Sequence, residues 1–225
     1  MTGTARDDAE PVLSQADLGR RVWLLLLLDG AERAGIAPLP EMRLHRLVFL
    51  ANVLAPVYDL PVEDGKVVKY RRGPFYPDVQ WDLDRLAVSG LADISEIRHI
   101  EDEHGWWFSA KYGLRKQGMR LVGEALRRPE MAALHRFHCE LLAAYSSLPD
   151  EAQPGAALVD ATYAAPDQNL DDVIDFAEWR DRNASVNTTG LFVNSLPAGL
   201  ALNERERLHL YMHYLGRMAG RQVVA

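Results

Sequence analysis

The sequence predicts a mainly α-helical chain with a small antiparallel β-sheet. Three observations lead there. Apolar residues recur at helical spacing over 44–54 and again over 79–87. Two extended runs, "LADISEIRHI" (91–100) and "WWFSAKY" (106–112), flank the turn "EDEHG" and read as a hairpin. From residue 14 to residue 128 the segments run helix, helix, strand, helix, strand, strand, helix.

Residues 1–13 are polar, lack periodicity and are expected to be disordered. Ser14 and Asp17 form a helix start, because a hydroxyl caps free backbone N–H groups and an acid suits the positive helix end. That helix should run to about Ala34, with Gly35 as its left-handed stop. A second helix follows Pro40, burying Leu44, Leu47, Val48, Ala51 and Leu54 before Pro56 ends it. "KVVKY" (66–70) is a short strand that Gly73-Pro74 should break. A third helix starts near Pro77, buries Val79, Leu83, Leu86 and Ala87, and closes at Gly90. After the hairpin, a helix spans about 114–127 and stops before Pro129.

Beyond residue 129, Leu134, Phe137, Leu141, Leu142 and Tyr145 mark another amphipathic helix. A short helix is expected over 170–179 and a polar connection over 183–202. Asn203 with Glu206 forms a capping box for a last helix carrying Leu208, Tyr211, Met212 and Leu215. The domain reading is therefore a disordered start (1–13), a winged-helix domain (14–128) and a helical C-terminal extension (129–225). In the first domain the hairpin is the wing of a winged helix-turn-helix core.

Composition narrows the function. Hydrophobic residues make up 48% and charged residues 25% of the 225, which is globular. The net charge of −7 means that any nucleic-acid contact must come from a local basic patch. One cysteine, Cys139, excludes a disulfide within the chain and fits a reducing cytoplasm. The most apolar run, "VWLLLLL" (22–28), is too short for a membrane span and follows acids rather than a basic leader, so a buried helix is expected and no membrane contact.

Three stretches, "LHRLVFLANVL", "KYRRGPFYPDVQWDLDRLAVSGLADI" and "WWFSAKYGLRKQG", resemble two groups of proteins. One is the Panacea-type antitoxin domain. The other is the small middle component of three-component defence systems built around an SMC-like ABC ATPase, the Lamassu type. The similarity covers roughly residues 40–125, and Gly73, Pro74 and Phe75 carry it most directly. Either resemblance implies a non-enzymatic bacterial protein that binds a toxin, an ATPase or an effector, often within a phage-defence locus.

The candidate contacts follow from residue type and position. Lys66, Lys69, Arg71 and Arg72 precede the third helix, and Lys111, Arg115 and Lys116 lie on or after the wing, where a winged helix meets a phosphate backbone. Arg98 and Arg120 are nearby. The third helix itself offers Asp78, Gln80, Asp82, Asp84 and Arg85, and carboxylates repel phosphates, so it is a poor reader of base edges. Trp81 sits off its apolar face. It either packs on a neighbouring segment or anchors a protein interface, where Trp and Arg are enriched. Trp81, Asp82 and Arg85 are thus candidate partner contacts. Residues 150–182 hold nine acidic against two basic residues, which makes Asp171, Asp172 and Trp179 further candidates.

His135, His138 and Cys139 share helical spacing, as do His209 and His213, but neither set forms a closed metal motif. No phosphate loop, nucleophile elbow or cofactor fingerprint occurs. The expected function is a non-catalytic winged-helix subunit that bridges protein partners, with auxiliary contact to double-stranded DNA. The alternative is an autonomous DNA-binding transcriptional regulator.

Overall fold

The computed structural model describes residues 15–62, 66–70, 72–102, 105–165, 169–175, 183–195, 197 and 201–223. The polar start expected to be disordered, with Ser14, and also Arg71 and Trp179 lie outside the described residues. The elements run α1 (Gln15–Arg33), β1 (Leu39–Pro40), α2 (Glu41–Leu54), a 3-10 turn (Ala55–Tyr58), β2 (Lys66–Tyr70), β3 (Gly73–Phe75), α3 (Pro77–Val88), β4 (Ala92–Asp102), β5 (Gly105–Leu114), α4 (Lys116–Ala125), α5 (Pro129–Ser146), α6 (Gln153–Ala156), β6 (Val173–Asp175), α7 (Ala184–Asn194) and α8 (Glu204–Val223). The chain is thus mainly helical with small antiparallel sheets.

Helix α1 forms the centre. Its residues Trp23–Leu28 are all buried, so the apolar run is a helix enclosed on every side. It contacts α3, α4, α5 and β5. Among the described residues no helix is long and apolar enough to cross a membrane. One sheet has the order β1-β5-β4 and the other β3-β2-β6, all antiparallel. Leu39 pairs with Tyr112, which ties the connection before α2 to the hairpin. α5 packs on α1, and β6 joins β2, so residues on both sides of position 128 share one hydrophobic core.

Two expectations are corrected, over 173–175 and over 184–194. Strand β2 covers 66–70 as expected and ends before Gly73-Pro74, which open a further strand β3, with Val68 opposite Phe75 and Tyr70 opposite Gly73. Pro74 is tolerated because β3 is an edge strand and a missing N–H costs no ladder bond on the open side. Strand β6 occupies 173–175 where a helix was expected, because pairing with β2 overrides local propensity. Helix α7 lies within the expected polar connection. Its cap is Asn183, whose side-chain oxygen accepts from the Val186 N–H.

Other signals hold. Gly35 and Gly90 adopt φ of +71° and +73° at the ends of α1 and α3. The Asn203–Glu206 box is reciprocal: each backbone N–H donates to the other's side chain at 2.9 Å.

Candidate functional site

The segments that carry the family-like pattern meet at one joint. Arg46 Nη2 donates to the Arg72 carbonyl at 2.7 Å. Gly73, at φ +125°, is held so close that a Cβ there would lie 3.1 Å from Arg46 Nε. One residue earlier on α2, the His45 ring packs 4.7 Å from the Phe75 ring. Its Nδ1 accepts from the Tyr76 N–H at 3.2 Å, so its Nε2 carries the proton and points to Gln80 Oε1 at 3.3 Å. Burial pushes His45 down to about 4, which keeps the ring neutral. Gln80 Nε2 then donates to Tyr112 Oη at 2.8 Å and Asp84 Oδ1 at 3.0 Å. The "LHRL" and "GPFY" residues therefore join the start of α3 to α2 and to β5. Their role here is to fix the pose of α3.

Helix α3 divides its side chains sharply. Val79, Asp82, Leu83 and Leu86 are buried. Asp82 is fully enclosed, 2.6 Å from Arg20 Nε and 2.9 Å from Arg21 Nε, with Arg85 at 3.8 Å. It is an internal brace to α1 and not a partner contact, which corrects its expected role. The spacing 79, 82, 83, 86 was the available signal, since it places an acid on the apolar stripe. The outward face holds Asp78, Trp81, Asp84, Arg85 and Val88. Trp81 is 64% exposed and Val88 is 91% exposed, so Trp81 does not pack inward. The Arg85 guanidinium lies 5.7 Å from the Trp81 ring centre.

The hairpin of β4 and β5 is also two-sided. On one side Arg72 stacks 3.5 Å from the Trp107 ring centre. On the other, His99, Trp106 and Phe108 lie with ring centres 5.4–6.0 Å apart. Trp106 and Phe108 are 65% and 63% exposed, and Ile97, in the irregular stretch of β4, is exposed as well.

Most of the basic candidates already have internal partners. Lys111 Nζ lies 2.7 Å from Glu96, and Arg115 donates to Asp93 at 2.8 and 3.0 Å. Lys69 sits 5.3 Å over the Tyr163 ring, and Arg72 is stacked. Lys66 and Lys116 are exposed. In the acidic segment, the Asp171 N–H donates to the Lys69 carbonyl and the Lys69 N–H to the Asp172 carbonyl, so this pair extends the β2–β6 ladder. Asp171 is exposed, whereas the Asp172 carboxylate accepts from the Asn169 N–H.

Sequence reasoning missed the buried acid Asp160. Its oxygens accept from Ser185 Oγ (2.8 and 2.9 Å), Tyr211 Oη (2.8 Å) and the Thr162 and Tyr163 N–H groups (2.9 and 3.2 Å). Burial pushes Asp160 up, and these donors pull it back. Asn183 Nδ2 donates to the Val53 carbonyl at 2.8 Å, so the network links α2, the 160–163 turn, α7 and α8. No local pattern announced it.

The His and Cys sets do not converge. His135 Nε2 is 2.8 Å from Asp29, and Cys139 Sγ lies 3.6 and 3.9 Å from the two nitrogens of that ring. Burial pushes the Cys139 thiol up, which disfavours the thiolate. His138 turns inward, 4.5 Å from the Trp23 ring, and burial holds it at about 3. His209 approaches Glu140 at 3.6 Å, and His213 is exposed. Among the described residues no cluster of three or more His, Cys, Asp or Glu could hold a metal ion. Comparison of the chain with family models and with curated proteins gives no match.

Proposed function

We propose that the chain is a non-enzymatic winged-helix interaction subunit of a bacterial multi-protein complex, of the phage-defence or toxin–antitoxin kind. It bridges protein partners, such as an SMC-like ABC ATPase, an effector or a toxin, and touches duplex DNA only as an auxiliary contact. The strand order β1-β5-β4, with α3 placed just before the hairpin, agrees with what a winged helix would need and supports the fold part.

One observation carries the functional part. The face of α3 that a DNA reader would line with Arg, Lys, Asn or Gln instead offers Trp81, Arg85 and Val88 between Asp78 and Asp84. An exposed Trp beside an Arg is the chemistry of a protein hot spot. Carboxylates at this place oppose a phosphate backbone.

The test uses the purified chain with the purified products of its neighbouring genes, by calorimetry. Binding to one of them, weakened at least tenfold by Trp81→Ala or Arg85→Ala, is expected. Duplex DNA binding by the chain alone, with a steep salt dependence and loss in a Lys66→Ala/Lys116→Ala variant, together with no binding to those products, would establish the autonomous regulator instead.

A further inference from the structure

Strand β4 ends its sheet, and among the described residues no strand covers its outer side. Such an edge presents a row of free backbone donors and acceptors. A bulge between Ser95 and Arg98, where Glu96 adopts φ +49°, interrupts the strand. The bulge divides the regular edge into residues 92–95 and 98–102, and the second stretch reads Arg-His-Ile-Glu-Asp.

That pentapeptide is complementary to itself. Laid antiparallel on a second copy, with a two-fold axis at Ile100, it sets His99 opposite Glu101 of the second copy. It also sets Arg98 opposite position 102, an aspartate in the sequence, and Ile100 opposite itself. A register centred one residue earlier loses both pairs, since Arg98 then faces Ile100 and Ile97 faces Glu101. Arg98 against the aspartate is an opposite-charge pair, and a ring N–H of His99 can donate to the Glu101 carboxylate; such cross-strand pairs stabilise antiparallel pairing, and like charges oppose it.

The exposed aromatic residues lie on the matching face. Within the hairpin His99 pairs with Phe108 and Glu101 with Trp106, so these four share one side of the sheet. We propose that the β4 edge is a self-association site, where a second copy of this chain adds its own residues 98–102 and builds a six-stranded sheet across a two-fold axis. In that sheet Trp106 and Phe108 of both copies flank the two His99–Glu101 pairs on one face. The opposite face holds Trp107, already covered by Arg72. The contact is isologous and closes at two copies. The outward face of α3 takes no part in it.

Sedimentation velocity of the full chain over a concentration series tests the proposal. A dimer is expected. His99→Glu and Glu101→Lys, both at exposed positions, should each weaken it at least tenfold, because the first sets two carboxylates opposite one another twice per dimer and the second removes the carboxylate that accepts from the His99 ring. Mixing the two variants should restore the dimer as a heterodimer. In it one half of the contact pairs the introduced carboxylate with the introduced ammonium, and the other half keeps the native pair. Recovery on mixing also shows that both variants are folded. Trp81→Ala should leave the dimer unchanged, which separates this site from the partner-binding face. A chain that stays monomeric at every concentration, or a dimer indifferent to both charge variants, would overturn the proposal.

Discussion

Nδ1 of His45 accepts a hydrogen bond from the backbone N–H of Tyr76 at 3.2 Å. A protonated ring would lose that acceptor, so the joint between α2 and α3 requires a neutral imidazole. The unfolded ring titrates near its ordinary value of 6.5, and the folded one near 4. As pH falls, the unfolded chain takes up the proton first. Stability is therefore full above about pH 6.5 and declines as pH drops towards 4. The gap corresponds to about 3 kcal/mol for His45. His138 acts in the same direction, with its decline extending to about 3. Urea unfolding at pH 7.5, 6 and 5 should show a falling midpoint, with a shallower fall in His45→Asn. An unchanged midpoint between pH 7.5 and 5 would refute the requirement.

Neighbouring residues on α3 should behave oppositely. Asp82→Ala leaves the Arg20 and Arg21 guanidinium groups without their enclosed carboxylate and should cost about 3 kcal/mol. Trp81→Ala touches an exposed ring and should change stability by less than about 0.5 kcal/mol. Chemical denaturation of the two variants side by side measures the contrast. Equal losses would show that Trp81 is part of the core.

Asp160→Ala should be among the most damaging single changes to the C-terminal half. It leaves the Tyr211 hydroxyl and the Tyr163 N–H enclosed without an acceptor, with Ser185 and the Thr162 N–H left only the bonds between Ser185 and Thr162, and one such orphan alone costs about 1–3 kcal/mol. Tyr211→Phe removes one donor and keeps the acceptor served by the others, so it should cost less. Thermal unfolding of both variants gives the order. A milder effect from Asp160→Ala than from Tyr211→Phe would contradict the network as described.

Gly118 lies where α4 crosses the α3–β4 junction. A Cβ there would overlap the Leu91 backbone carbonyl, which cannot swing away as a side chain would. Gly118→Ala should therefore destabilise by about 1–3 kcal/mol, despite the better helix propensity of Ala. Gly123, on the same helix, has open space at its Cβ, and Gly123→Ala should be neutral or stabilising. Paired melts of the two variants check the sign.

What the sequence disclosed depended on whether local chemistry was decisive. The buried faces of α2 and α3, the β4–β5 hairpin and the Asn203–Glu206 cap were legible because periodicity, turn length and capping are set by near neighbours. Strand β6 was not, since three residues in an acidic stretch become a strand only by pairing with β2. Helix α7 was hidden by its Asn and Thr residues, weak helix formers whose cost is offset by the Asn183 cap and packing on α8. The candidate site was half visible. Trp81 stood off the apolar stripe in the sequence, but the joint of His45, Arg46 and Gly73 depends on contacts between separate segments.

The β2–β6 pairing has a consequence for the order in which the chain is made. Synthesis delivers β2 and β3 early, whereas residue 175 emerges far later. Until then β2 has one unfilled side, and the leucines of α1 await α5. Nascent chains halted between these points would display both a bare strand and an uncovered apolar helix, the features that recruit chaperones and seed aggregation. Expression of residues 15–128 alone should therefore yield insoluble material, and the completed C-terminal half acts as the fold's own finishing strap.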